Sequence, residues 1–462
     1  MSERLRPIRA LGAAINTSAL PRSCGLLQIA AAFTVMLLCH QAAAAEPVVL
    51  RDTEIENDIR AMEAPIWRAA GLDPADVGIF LVQDDQINSF VAGGQAVFIN
   101  TGLIMGCDTP NELIGVLAHE TGHIAGGHII RSVDAMHKAS VESLIALAAA
   151  ALVSAAGHSG APMMAAAGVG QQAFLRFSIT QEGTADHAAM TYLDHTGQSA
   201  RGLLKLFEKL QSQELLTGEH EDSWARTHPL TAERVEYLRH HVETSPYSNV
   251  PDTPTNIGLL KEVQTKLHAF LDDPQKTLNA YPESDRSMLA RYARAIAYYR
   301  VPKLDAALAA IDGLIRDYPK NPYFRELKGQ MLFENGRIKD AVQPYEDAVK
   351  LAPKSALLRI SLSQVYLETG DAGLSKRAIG YLNDASRSEG RESEVWHFLA
   401  VAYGRDNQLG MAALSLAEEA LAAGKKKNAT EQSTRAKQLL TKGSASYMRA
   451  DEIHRQAEHL DD

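Results

Sequence analysis

Three pairs of identical residues, Ala307 and Ala341, Pro319 and Pro353, and Gly336 and Gly370, are each separated by 34 positions. A small residue, a turn glycine and an exit proline that keep phase over such a period predict stacked helix–turn–helix units. One unit cannot bury its apolar face alone, and stacked neighbours share a core. The clearest unit reads "YFRELKGQMLFENGRIKDAVQPYEDAVKLAPKSA": two amphipathic helices, a glycine near the turn between them and a proline at the exit. The units from Leu357 and in "SEVWHFLAVAYGRDNQLGMAALSLAEEALAAG" keep the helix pair but drift in spacing. An unrelated helical bundle is the competing expectation. Either way, residues 285–462 supply contacts to protein segments and carry no catalytic constellation.

The chain has 462 residues, too many for one ordinary core. Its net charge of −10 argues against a nucleic-acid partner, which usually leaves a basic footprint. Arg4, Arg6, Arg9 and Arg22 precede an apolar run from about Leu26 to Leu38, and Ala43 and Ala45 fit a small-residue cleavage site. Residues 1–45 are therefore expected to be an export signal cleaved near Ala45, with an uncleaved anchor or a lipid anchor at Cys39 as alternatives. Cleavage removes Cys24 and Cys39, so Cys107 would have no intramolecular disulfide partner.

Residues 46–245 read as one α+β domain dominated by helices. Two short strands, "GIFLVQ" and "QAVFIN", flank "DDQINSFVAGG", whose glycines suggest a turn or a sheet edge. Thr109 is the expected N-cap of the next helix, with Pro110 in its first turn and Glu112 closing a capping box. That helix carries "HETGHIAGGH". His119 and His123, four residues apart, lie on one helical face and can reach one cation, while Glu120 can take a proton from water. Zinc catalysis needs a third protein ligand and a position open to water. His128 is unsuited, because it falls one residue short of the usual Gly-x-x-His register and a single step turns a helical side chain by about 100°. It reads as a structural or hydrogen-bonding histidine. Glu182 and Asp186 in "QEGTADHAAM" are better placed: they share a helix face, so Glu182 can complete a His-His-Glu set and Asp186 can accept the free N–H of a ligating imidazole. Ala185, Ala188 and Ala189 imply that this helix is tightly packed.

"SLIALAAAALVSAAGHSGAPMMAAAGVG", residues 143–170, has a longest apolar run of ten residues, Leu144 to Val153, half of what a spanning helix needs. A buried helix with a Gly/Pro loop is expected, with peripheral membrane contact as an alternative. "TSPYSNVPDTPTN" and the residues after it, 246–284, read as a linker and a connecting helix.

"HETGH", "QEGTAD" and "THPLTAERV", in this order, resemble the Ste-type CaaX-protease/HtpX family of zinc peptidases. The resemblance implies a mostly α fold: an α+β zincin-like metallopeptidase domain followed by a tetratricopeptide-repeat solenoid. It also implies one zinc per chain held by His119, His123 and Glu182, Glu120 as general base and Asp186 behind the ligands. His228 matches a histidine that can take the fourth zinc position and hold such an enzyme latent. Arg234 matches an arginine of the same motif, expected to orient substrate or polarise its carbonyl. From the residues alone, His228 on the turn between Thr227 and Pro229 could equally be an ordinary surface histidine. "INSFVAGGQAVFI" matches an edge strand that pairs with extended substrate, with Asn88 and Phe90 as expected contacts.

An export signal before these motifs and repeats after them resemble the periplasmic, repeat-bearing branch of that family. This implies an endopeptidase with a chaperone-like role in outer-membrane protein assembly and quality control. Its substrates would be outer-membrane proteins, and its repeats would contact the β-barrel assembly machinery. Two other readings are a non-proteolytic scaffold acting through the repeats and an integral-membrane protease using residues 143–170 as a hairpin.

Overall fold

The computed structural model describes residues 48–92, 94–128, 179–217, 224, 228–390 and 393–460. The expected export signal and the membrane-contact segment 143–170 lie outside them. No described helix is long and apolar enough to cross a membrane.

The sheet has four strands in the order β1 (Val49–Leu50), β2 (Gly78–Val82), β4 (Ala96–Asn100) and β3 (Ser89–Ala92). β2 and β4 run parallel, and β3 returns as a hairpin antiparallel to β4, with Ser89 opposite Ile99 and Phe90 opposite Phe98. The segment between the two expected strands thus contains a third, and it forms one edge of the sheet. Alternation then sorts the side chains. Ile79, Leu81, Val97 and Ile99 face the core. Phe80, Phe98 and Phe90 stack across the other face at centroid spacings of 5.0 Å, and the Arg51 guanidinium lies over Phe80.

Helices α1 (Thr53–Ala69), α2 (Thr101–Gly106), α3 (Pro110–Gly126), α4 (residues 179–195), α5 (Arg201–Thr217) and α6 (Ala232–Thr244) complete this half. Thr109 does cap α3, but its hydroxyl points at the Glu112 carboxylate instead of a backbone N–H. Buried Glu112 meanwhile accepts from the N–H of Asp108, one residue before the cap, and from Lys205 of α5, so the expected capping box does not form.

The proline-rich stretch after α6 is firmly held: the Ser248 carbonyl accepts from both Ser199 and Arg201. Thr253 then caps α7 (Pro254–Leu271), whose Leu260, Val263 and Leu267 enter the same core as α3. After α8 (Pro274–Ala280) come helix pairs: α9 (Met288–Arg300) with α10 (Leu304–Asp317), α11 (Pro322–Glu334) with α12 (Ile338–Leu351), and α13 (Ala356–Glu368) with α14 (Ala372–Glu389). Their first helices start at 288, 322 and 356, reproducing the 34-residue period. Gly336 and Gly370 make the inter-helix turns at φ 77° and 71°, where a side chain would be strained. The long α14 breaks the phase, so α15 (Ser393–Arg405) and α16 (Leu409–Ala422) start three residues late; Asn407 at φ 57° makes their turn. α17 (Lys426–Leu439) and α18 (Ala445–Glu458) end the array.

A buried charge cluster ties α1 to α7, α9 and α11. Lys266 pairs with Asp52 at 2.8 Å and with Glu54 at 2.9 Å, and the Tyr292 hydroxyl donates to Glu54 at 2.7 Å. Beside them Glu326 is pushed up to about 8: burial dominates, Lys266 opposes it, and Asp52 and Glu54 add to it. A carboxyl raised in the fold keeps a proton that the unfolded chain has lost, so its contribution falls as pH rises from its ordinary value towards 8. Relative to Glu326→Gln, the wild type should therefore lose stability by about 1 kcal/mol per pH unit across that window. Melting both proteins at pH 6 and pH 8 checks this; a constant difference would mean that Glu326 is already ionised at pH 6.

Candidate metal centre

Helix α3 presents His119 and His123 on one side, and its Leu113, Val116 and Leu117 are at most 2% exposed. Gly122 lies between the histidines on the side that meets α4. A Cβ there would come 2.8 Å from the Ala185 carbonyl oxygen and 2.9 Å from its Cα. The two backbones therefore touch, and Glu182 and Asp186, on either side of Ala185, are carried up to the histidines. Ala185 and Ala189 are fully buried and Ala188 half-buried, in keeping with the packed helix that their size implies. Gly122→Ala should force α3 and α4 apart at a cost of about 1–3 kcal/mol. Retained metal content with an unchanged melting temperature would contradict this close contact.

His119, His123, Glu182 and His228 are buried, and their donor atoms lie within 4.8 Å of one another. The His119 Nε2 is 3.1 Å from the His123 Nε2, 3.4 Å from the His228 Nδ1 and 3.3 Å from a Glu182 oxygen. Glu182 is 3.4 Å from His123 and 3.1 Å from His228. These five separations, taken to one or the other Glu182 oxygen, are 3.1–3.4 Å, and a tetrahedron with edges of that length would have its centre about 2 Å from each corner, the length of a zinc–imidazole or zinc–carboxylate bond. Two imidazoles and a carboxylate, with a third imidazole at the last corner, are also donors that suit a first-row divalent metal.

The outward nitrogens of the two α3 histidines are held as well. The His119 Nδ1 lies 2.9 Å from Asp186, and Asp186 takes a two-pronged hydrogen bond from Arg234 at 2.6 and 2.9 Å. Arg234 also donates to the Pro229 carbonyl and pairs with Glu182 at 3.0 Å, and its guanidinium lies over Phe207. It is 4% exposed. The arginine expected to touch substrate thus stands one layer behind the donors, its fork filled by Asp186. Burial opposes ionisation of Asp186, but Arg234 and His119 outweigh it and hold the carboxyl below its ordinary value. Burial likewise disfavours the charged form of His119, yet Asp186 and Glu182 raise it to about 9. His123, buried and facing His119, falls to about 2.

Glu120 is fully buried, and one of its oxygens accepts from the Ser89 hydroxyl at 2.8 Å. Its other oxygen has no hydrogen-bond partner among the described residues. Of the strand residues singled out in the sequence, Asn88 is buried and Phe90 stacks on the far face of the sheet; Ser89 between them is the one that faces the centre. Ser89 was not among the residues expected from the sequence. The Asn100 N–H donates to the Asn88 carbonyl, so the next carbonyl, that of Ser89, faces the open edge, and the His228 Nε2 lies 3.1 Å from it. Trp224 was also missed: its ring stacks on His228 at 4.5 Å, and its carbonyl accepts the His228 N–H. Its position four residues before the histidine was the available signal.

A helix-borne His-Glu-x-x-His, a carboxylate from a second helix and an edge strand alongside define a metallopeptidase. Residues 50–242 match Peptidase family M48 and residues 292–356 match a tetratricopeptide repeat, so the metallopeptidase half of the chain is similar to the M48 family and a region similar to such a repeat follows it. Among its relatives is a "Beta-barrel assembly-enhancing protease" of Yersinia pestis, 22% identical over 354 residues, covering 73% of this chain and 71% of that one. The protein of the same name from Escherichia coli (strain K12) is 23% identical over 333 residues, 70% and 66% of the two chains. "Metalloprotease LoiP" of the same organism is 28% identical over 166 residues, 36% and 62%. The chain thus spans about two thirds of the length of these relatives.

Proposed function

We propose that the protein is a periplasmic zinc endopeptidase that cuts extended polypeptides, outer-membrane proteins among them, and is held latent at rest by His228. The observation that carries this reading is the convergence of four buried donor groups within 4.8 Å of one another, with the Glu120 carboxylate beside them. Zinc held by His119, His123 and Glu182 would supply a Lewis acid for the attacking water and the scissile carbonyl. Glu120 takes the proton of that water and returns it to the leaving amine, and Ser89 fixes the carboxylate for both transfers. Asp186, itself fixed by Arg234, keeps the His119 ring in the tautomer that points its lone pair inward. The substrate adds to the open edge of β3 through its backbone, which gives loose sequence preference.

His228 occupies both places that this chemistry needs. Its Nε2 donates to the edge carbonyl of Ser89, so its Nδ1 lone pair faces the donors as a fourth ligand. Substrate pairing and water entry therefore both require it to leave. The test is elemental analysis of the purified mature protein together with casein cleavage. One zinc per chain with measurable cleavage supports the assignment, and the absence of tightly bound metal would overturn it.

A second reading, a scaffold acting through its repeats, is favoured by a cleft of 960 Å³ between the sheet and α13 and α14, bordered by Arg51, Phe80, Gln95, Lys354 and Arg387. Its partner would be outer-membrane assembly machinery, in line with the names of the relatives. A Glu120→Gln protein that still restores outer-membrane assembly in a deletion strain would put this role ahead of proteolysis; complete failure would make scaffolding alone insufficient.

A further inference from the structure

His119 and His123 both turn Nε2 into the centre, which leaves each with an outward Nδ1. For His119 the partner is Asp186. For His123 it is His128, whose Nδ1 lies 3.0 Å away with the rings nearly perpendicular at 81°. We infer that His128 is a positioning residue for the metal centre, holding His123 as Asp186 holds His119. This rests on the metal-binding role proposed above for His119, His123 and Glu182.

The geometry sets the proton arrangement. If His123 keeps its Nε2 lone pair for the metal, its Nδ1 carries the hydrogen and donates to His128. The His128 Nδ1 must then be the acceptor, and its own hydrogen sits on Nε2. The pair fixes the tautomer and the plane of the ligating ring together, the service that outer partners of ligating histidines generally perform.

Three local features are built around this ring. α3 stops at Gly126, and Gly127 turns the chain at φ 61°, the left-handed conformation that glycine adopts without strain. A Cβ on Gly126 would come 2.4 Å from the His128 Nε2 and 2.7 Å from its Cδ2, so a glycine there makes room for the imidazole. The Gln181 side-chain amide donates to the His128 carbonyl at 3.2 Å, tying the turn to α4 next to the ligand Glu182. His128 is 4% exposed. "GGH" is therefore a return that folds the chain back onto its own ligand, and the one-residue shift that takes His128 out of ligand register places it behind His123.

Zinc affinity, measured by chelator competition on the full mature chain, tests this with wild type, His128→Ala and His128→Gln; the glutamine side-chain oxygen can still accept. His128→Ala should bind zinc roughly 10–100-fold more weakly, and His128→Gln should recover most of the loss. Equal affinity for wild type and His128→Ala would overturn the positioning role while leaving the metal centre standing. Equal loss in both variants would show that packing rather than the accepted hydrogen bond matters, and would also overturn it. A wild type that binds no zinc would defeat the metal centre itself, and the inference with it. Should the alanine protein fail to fold as judged by circular dichroism, His128→Gln decides alone: near wild-type affinity supports the inference, and a tenfold loss rejects it.

Discussion

Glu120→Gln is expected to lower peptide-bond cleavage by a factor of roughly 10²–10⁴ with zinc content unchanged. Glu120 sits beside the donors without being one of them, so replacing its carboxylate with an amide removes the proton acceptor and leaves His119, His123 and Glu182 in place. Glutamine can still accept the Ser89 hydroxyl, which keeps the fold around α3 and β3 undisturbed. Casein cleavage and elemental analysis on the same preparation read both quantities. Preserved cleavage would remove Glu120 from the chemistry, and lost zinc would mean that it serves the metal instead.

His228→Ala is expected to raise activity, roughly tenfold or more if the open form is a tenth or less of the wild-type population. The ring holds the fourth corner and the Ser89 carbonyl simultaneously, and alanine vacates both. Three donors remain, the number typical of catalytic zinc sites, so the metal should stay. The opposite result is as informative: zinc retained with cleavage abolished would make His228 a group that steadies the transition state. The Trp224 ring stacked on the imidazole offers an optical readout, since its fluorescence should change when His228 leaves it.

Much of this site was legible because its chemistry is local. His119, Glu120 and His123 occupy one helical turn, and Glu182 with Asp186 another, so spacing alone set each pair on one face. That these two turns meet is a tertiary fact, hinted at only by Gly122 and Ala185, which are small enough for backbone contact. The repeats were legible for the same reason, their period being written in turn glycines, up to α14, whose extra length shifts the later pairs. What stayed hidden was direction. Which of Asn88, Ser89 and Phe90 faces the donors depends on strand register, and whether Arg234 meets substrate or Asp186 depends on how α6 lies against α4. The linker and connecting helix expected over 246–284 left packing unstated for a related reason: that Thr253 caps a helix whose apolar face enters the core is a tertiary fact.

The charge cluster around Lys266 bears on how such a protein can be taken apart. A cut near residue 284 would leave Lys266 its two carboxylates but take the Tyr292 hydroxyl from Glu54 and uncover the α1 surface where Asn57 meets Tyr323 and Arg51 meets Glu389. The catalytic half is therefore not a cassette: shortened versions lacking the repeats should precipitate or unfold for reasons unrelated to catalysis. A grafted repeat array would need to bring its own tyrosine and carboxylate to the same places.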